Sequence, residues 1–377
     1  MARPHRALDN GLRDRWAADR LVGIDLARGL AVFGMYAVHV GPMVGVMEFP
    51  YGFSSVLFAV LTGFSLILIT GRNAPKSGVA GRQAIAKVAI RALILLALGQ
   101  ILTDLTPVFV ILPYYGVCFL LVLPLCQLSA RQLGLLAAAT ALVLPQVRYL
   151  LLTTFGSEGS NSVAFELLVS GYYPALTWVP LLLAGMAIAR FDLRTRAMHC
   201  RLGLAGVALA VLGFGGSSLA LHFLPGVSAD LWESDLTPDF WWTKDAPYTA
   251  SWLWVASPHS ETTFWILGSS GAAMIVLAAC SLAMDALPLL RKLVWPIIAV
   301  GSMPLTAYLL HIVGIYLLGD GPSLSMLFGF IVVVSTFAML WLRFFQRGPM
   351  EALMGRIADR ATRRPLSTTS PRRPDLK

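Results

Sequence analysis

Apolar runs of about 20 residues, the length a helix needs to cross the hydrocarbon core, recur at 21–45, 51–71, 83–103, 107–127, 131–152, 173–190, 201–224, 262–284, 293–318 and 322–346. The pattern predicts an all-α, polytopic integral membrane protein with about ten transmembrane helices. Only Asp104, Leu105 and Thr106 separate the third run from Pro107, and Gly319 to Gly321 separate the last two, so both pairs are expected as tight helical hairpins. No internal repeat of 20–50 residues stands out.

The residues between the runs orient them. Of the 29 Lys and Arg, all but Arg28, Arg148 and Lys244 fall in the N-terminal segment, the even-numbered connections and the tail. The odd-numbered connections instead carry acids, among them Glu48, Asp104, Glu158, Asp230, Asp235 and Glu261. By the positive-inside rule both termini are cytoplasmic. Residues 1–20 then form a cytoplasmic segment, 21–346 the transmembrane domain, and 347–377 a basic cytoplasmic tail, partly disordered and drawn to anionic lipid. The connection at 225–261 faces outward and is rich in Trp, with Trp232, Trp241, Trp242, Trp252 and Trp254. It reads either as an interfacial aromatic belt or as a lid whose aromatic faces, Trp241 and Trp242 in particular, hold a sugar or lipid acceptor.

Composition agrees. With 57% apolar and 13% charged residues and a mean hydropathy of +0.71, the chain departs from the roughly one-quarter charge of water-soluble domains. Its net charge of +9 marks topology, so no nucleic-acid partner is expected. Cys118, Cys126, Cys200 and Cys280 form no CxxC pairing, which points away from a disulfide framework and from a zinc site, and no metal is expected. The first twenty residues hold no apolar stretch, so no signal peptide is expected and the first run stays as a span. The expected location is the cell inner (plasma) membrane, multi-pass, with membrane lipids as partners and a homo-oligomer left open.

Ionisable residues inside a span are costly and point to function. The first run has Asp25, Arg28 and His39. Asp25 and Arg28, three residues apart, share a helix face and pair. Eleven residues from Arg28 to His39 make three turns plus about 20°, which puts them on one stripe about 16 Å apart along the axis. Asp25 and Arg28 read either as a snorkelling interfacial pair or as the contact for an anionic cytosolic cosubstrate, which suits a guanidinium fork. His39 reads either as a hydrogen-bonded residue near the outer interface or as a general base. His311 lies mid-span with Tyr308 three residues before it, either as a structural hydrogen bond or as part of the same site. His259 and Glu261 sit at the outer mouth before the eighth span, as a capped helix start or as acceptor contacts. Thr306, Tyr308, Ser269 and Ser270 are of the right type to donate to an oxyanion.

The first span resembles the opening of transmembrane acyltransferases, in which an Asp, an Arg-Gly pair and, in the acyltransferase-3 branch, an Arg followed some ten residues later by His recur. FAVLTGFSLIL, YYPALTWVPLLLAGMAIAR, VGSMPLTAYLLH and RGPMEALMGR, in that order, resemble the YeiB-type families and their heparan-alpha-glucosaminide N-acetyltransferase relatives over nearly the whole chain. The resemblance implies acyl transfer across a membrane, from cytosolic acyl-CoA (acetyl-CoA) to a hydroxyl or amine of a glycan or glycolipid acceptor. On that carry-over Arg28 contacts the donor and His39 is the base, or else an acyl carrier. The alternative is a transporter or a lipid or glycolipid flippase with a buried Asp/Arg/His path. Against it, no inverted repeat is visible and broken helices are not obvious, although Pro296 and Pro304 leave that point open.

Overall fold

The computed structural model describes residues 21–42, 50–74, 76–106, 108–156, 162–233, 249–319 and 321–362, and among them every regular element is helical. The longer helices are α1 (Val22–Val40), α2 (Pro50–Thr70), α3 (Gly78–Leu105), α4 (Leu112–Val122, continued by a tight turn at Leu123–Gln127) and α5 (Ala130–Phe155). The short α6 (Val163–Ser170) leads into α7 (Ala175–Ala189), followed by α8 (Arg196–Phe223) and α9 (Val227–Glu233). Then come α10 (Thr263–Ala286), α11 (Pro288–Leu293), α12 (Trp295–Gly301), α13 (Pro304–Leu318), α14 (Leu324–Trp341) and α15 (Pro349–Thr362).

Each of the ten predicted runs falls at least in part on helix. Six helices (α2, α3, α5, α8, α10 and α14) are long and apolar enough to cross a membrane alone. Two bent pairs, α6 with α7 at 58° and α12 with α13 at 91°, bring the number of candidate spans to as many as eight. The remaining predicted spans fall on α1, with Asp25, Arg28 and His39, and on the shorter apolar helix Leu112–Gln127.

The helices divide into an inner and an outer set. In α2 and α10 most of the apolar window is buried, whereas α3, α5, α8 and α14 turn most of theirs outward, exposing residues such as Leu93, Leu142, Leu204 and Val332. Apolar surface of that extent is at home in lipid. With hydrocarbon outside, helices gain little from apolar burial and associate by close packing of small residues. Gly63 of α2 and Gly185 of α7 do this reciprocally: a Cβ on either would run into the backbone of the other helix, at Leu182 O and Val60 O. The central α1 packs against α2, α10, α12, α13 and α14.

The 91° bend between α12 and α13 has a local cause. Proline disfavours helical geometry in the residue before it, and Met303, before Pro304, sits at φ −134°, ψ 56°. The freed N-terminus of α13 is capped from α15: Glu351 accepts from Leu305 N (2.8 Å), Thr306 N (3.1 Å) and Thr306 Oγ1 (2.5 Å). A carboxylate there also meets the positive end of the helix dipole. Lys87 of α3 ties to Asp359 of α15 at 2.5 Å, so α15 bridges α3 and α13.

Candidate functional site

Among the described residues, two neighbouring cavities in the bundle have lining residues whose order stacks them along three helices. The first, about 180 Å³, is lined by Arg28 on α1, by Phe58, Leu61, Thr62 and Ser65 on α2, and by Pro304 and Leu305 on α13. The second, about 330 Å³, takes Met35, Val38 and His39 from α1, Tyr51, Gly52, Ser54 and Ser55 from α2, and Ile315 from α13. Residues further along α1 and α13, and earlier on the antiparallel α2, thus line the second chamber.

In the first chamber Arg28 donates from one guanidinium nitrogen to Asp25 Oδ1 (2.7 Å) and from the other to Ser65 Oγ (3.0 Å), and the Ser65 hydroxyl donates to Leu61 O (2.7 Å). The expected Asp25–Arg28 pair is present. Asp25 itself lines neither chamber; it stands behind Arg28 and fixes its fork. Arg91 of α3 joins Arg28 in the lining. Its position, four residues after Lys87 and deep in an apolar helix, is the signal that distinguishes it from the topology-marking charges. The rest of the wall is mostly apolar and aromatic, with Tyr115 and Phe119 of α4 and Met354 of α15.

The second chamber is a chamber of imidazoles and phenols. His39 Nδ1 and His311 Nε2 are 2.9 Å apart with rings inclined by 13°. One nitrogen donates and the other accepts, so this bond ties the tautomers of the two rings together. His311 is held by aromatic neighbours: Tyr36 lies against it at 4.6 Å between ring centres and Tyr308 meets it edge-on at 5.0 Å. Tyr36, absent from the sequence-derived candidates, donates to Ala307 O (2.8 Å) and locks α1 to α13 beside the pair. Tyr51 and Tyr173, also unforeseen, line the same chamber.

Across that chamber stands His259, in a loop with two non-glycine residues of positive φ, His259 at 57° and Glu261 at 61°. Such backbone is uncommon outside glycine and persists only where the surroundings enforce it. Here Trp252 Nε1 donates to Ser260 O (3.0 Å) and Thr262 Oγ1 to Val255 O (2.5 Å). Gly52, at φ 74°, lets α2 approach Pro258, where a Cβ would intrude. Glu261 is not the helix cap that its position suggests. Thr262 caps α10 by accepting from Trp265 N (3.1 Å). Glu261 is buried behind His259, accepting from the Thr177 hydroxyl and from Trp178 Nε1 (3.1 Å), with its Oε1 3.9 Å from His259 Nδ1. Burial pushes the Glu261 carboxyl up to about 7, against the opposing pull of Arg148 and the bonds from Thr177 and Trp178. Burial pushes His259 down to about 4, against a backbone hydrogen bond to Tyr172. Near neutrality the two are therefore not an ion pair.

Several expected contacts lie elsewhere. Thr306 is spent on Glu351, and Ser269 and Ser270, on α10, line neither chamber. Trp252 is buried and offers no face as part of a lid, whereas Trp254 stays exposed with its ring beside Phe264 (5.6 Å). Trp241 and Trp242 lie outside the described residues. Among the described residues no group of His, Cys, Asp and Glu is arranged to hold a metal ion.

A helical bundle with several candidate spans, guanidinium groups in one chamber and imidazoles in the next, has the make-up of a multi-pass membrane protein. The family described as heparan-alpha-glucosaminide N-acetyltransferase, catalytic, matches residues 20–225, more than half of the chain, and the chain belongs to it. The family described as protein of unknown function (DUF418) matches residues 241–360. Together they bear out the resemblance read from the sequence, to a YeiB-type, membrane acetyltransferase-like family. No curated protein matches the chain.

Proposed function

We propose that the protein is an integral-membrane acyltransferase of the inner membrane, with ten spans and both termini in the cytosol. It moves an acyl group, acetyl foremost, from cytosolic acyl-CoA to a hydroxyl or amine of a cell-envelope glycan or glycolipid on the outer side. The observation that carries the reading is the stacking of the Arg28 chamber and the His39 chamber in a chain of this family. Arg28 and Arg91 suit the phosphates and the carrier arm of a CoA donor. In the His39 chamber His39 takes the proton of the acceptor N–H or O–H as the nucleophile attacks the thioester carbonyl, and His311 holds the ring in the required tautomer. With His39 Nδ1–H donating its hydrogen bond to His311 Nε2, the lone pair of His39 Nε2 is left to act as base. His259, with Glu261 behind it, orients the acceptor from the opposite wall. The domain boundaries at 20 and 346 and the acceptor role of Trp241 and Trp242 belong to the same proposal.

The test is acyl transfer by purified protein in detergent, with radiolabelled acetyl-CoA, a panel of longer acyl donors and envelope glycolipid acceptors. Labelled product with release of free CoA is expected from the wild type and not from His39→Ala. No CoA binding and no turnover across the panel sinks the reading. One observation favours transport instead: the bends at α6–α7 and α12–α13 resemble the broken helices of transporters. Accumulation of a glycolipid across proteoliposomes without CoA release would decide for it.

A further inference from the structure

Ile111 and Tyr308 are the residues that line both chambers. They form the partition between them. Ile111 N donates to the Tyr308 hydroxyl oxygen at 3.3 Å in buried surroundings, which fixes the oxygen and leaves its O–H to be donated. Three other tyrosines around the chambers spend that proton on a carbonyl: Tyr36 on Ala307 O (2.8 Å), Tyr51 on Val38 O (3.1 Å) and Tyr115 on Ser55 O (3.2 Å). Among the described residues no acceptor takes the proton of Tyr308. A buried donor without an acceptor is costly, and at the meeting point of two chambers it is matched to something that crosses from one to the other.

We infer that Tyr308 is a catalytic residue of the acyl transfer, donating to the carbonyl oxygen of a thioester laid across the partition, while its ring keeps water of the His39 chamber away from the donor. The inference rests on the acyl-transfer reading. The acceptor heteroatom forms a bond to the carbonyl carbon and gives its proton to His39. The carbonyl oxygen takes the negative charge and receives the Tyr308 O–H hydrogen bond. Collapse then breaks the C–S bond, the thiolate leaves with the electron pair and takes the proton back from His39. Acyl ester or amide and free CoA result, with no redox change.

Tyr308→Phe keeps the partition and removes the donor, so kcat is expected to fall about 10²–10³-fold, the cost of losing one oxyanion donor, with the KM for acetyl-CoA within about twofold. Tyr308→Ala also removes the partition and is expected to raise acceptor-independent hydrolysis of acetyl-CoA relative to transfer. It should also expose a cysteine placed at Thr62, in the Arg28 chamber, to an impermeant thiol reagent from the His39 side. An active wild type whose Tyr308→Phe variant keeps kcat within about threefold overturns the inference and leaves the acyl-transfer reading standing. A wild type inactive on every donor overturns both. If Tyr308→Phe does not accumulate as monodisperse protein, 3-fluorotyrosine at 308 replaces it; its more acidic phenol keeps the shape, and an unchanged kcat counts against the inference.

Discussion

The two chambers share a partition and three helices, yet they are built on opposite principles. In the Arg28 chamber the cation is permanently charged and its fork is already engaged by Asp25 and Ser65. In the His39 chamber the polar groups are imidazoles and phenols, and the bond between His39 and His311 can exchange donor and acceptor. A fixed charge suits holding an anion, whereas a paired imidazole suits moving a proton. Under the proposed acyl transfer, binding belongs to one end of the bundle and chemistry to the other, and that division can be broken by mutation.

The largest effect is expected at the imidazoles. General-base catalysis contributes about 10²–10⁴-fold, so His39→Ala should lower kcat by that factor while leaving the KM for acetyl-CoA near the wild-type value. His311→Ala removes only the partner of His39 Nδ1, a hydrogen bond worth about 0.5–1.5 kcal/mol, and is expected to lower kcat by about tenfold. Steady-state kinetics of both variants checks this. Equal losses would mean that the pair acts as one unit.

The Arg28 chamber should answer in the other parameter. Hydrogen bonds to charged groups contribute about 1.5–3 kcal/mol, so Arg28→Gln or Arg91→Gln is expected to raise the donor KM by about 10- to 100-fold with kcat little changed, the signature of binding lost equally from ground and transition states. Arg28→Gln should also release Asp25, so its thermal midpoint in detergent is expected to drop more than that of Arg91→Gln. A fall in kcat at unchanged KM would erase the distinction between the chambers.

How much of this was legible depended on range along the chain. The helices follow from apolar runs, and the Asp25–Arg28 pair and the stripe up to His39 follow from spacings within one helix. The His39–His311 bond joins residues 272 apart in sequence, and no local pattern announces it. Arg91 was hidden because a basic residue in α3 reads as part of the charge that orients the helices. Glu261 stays open between cap and acceptor contact in the sequence because an acid ahead of a helix can do either; the cap is its neighbour Thr262. The α12–α13 bend is not obvious in the sequence, where Pro296 and Pro304 only leave it open; packing against α1 and the contact from Glu351 give it a direction. Short-range chemistry was readable; the convergence of α1, α13 and the 255–262 loop on one cavity was not.

The smallest expected effect is the most specific to the wall opposite His39, because His259 and Glu261 pull stability in opposite directions with pH. Glu261, raised by burial from an ordinary carboxylate value to about 7, holds its proton in the folded state where the unfolded chain has lost it. Stability from this group is present at low pH and is lost as the pH rises from about 4.5 through 7. His259, lowered by burial to about 4, stays neutral where the unfolded chain is protonated, so its contribution grows as the pH rises from about 4 to 6.5. Between about 4.5 and 6.5 the two slopes, each about 1.4 kcal/mol per pH unit, oppose each other and the wild type should be nearly flat on their account. Glu261→Gln should unmask a melting temperature that rises with pH across that window relative to wild type, and His259→Gln one that falls. Thermal melts in detergent at matched ionic strength read the difference. Parallel curves for all three proteins would mean that neither group is buried as described, and the wall opposite His39 would lose its claim to a role in orienting the acceptor.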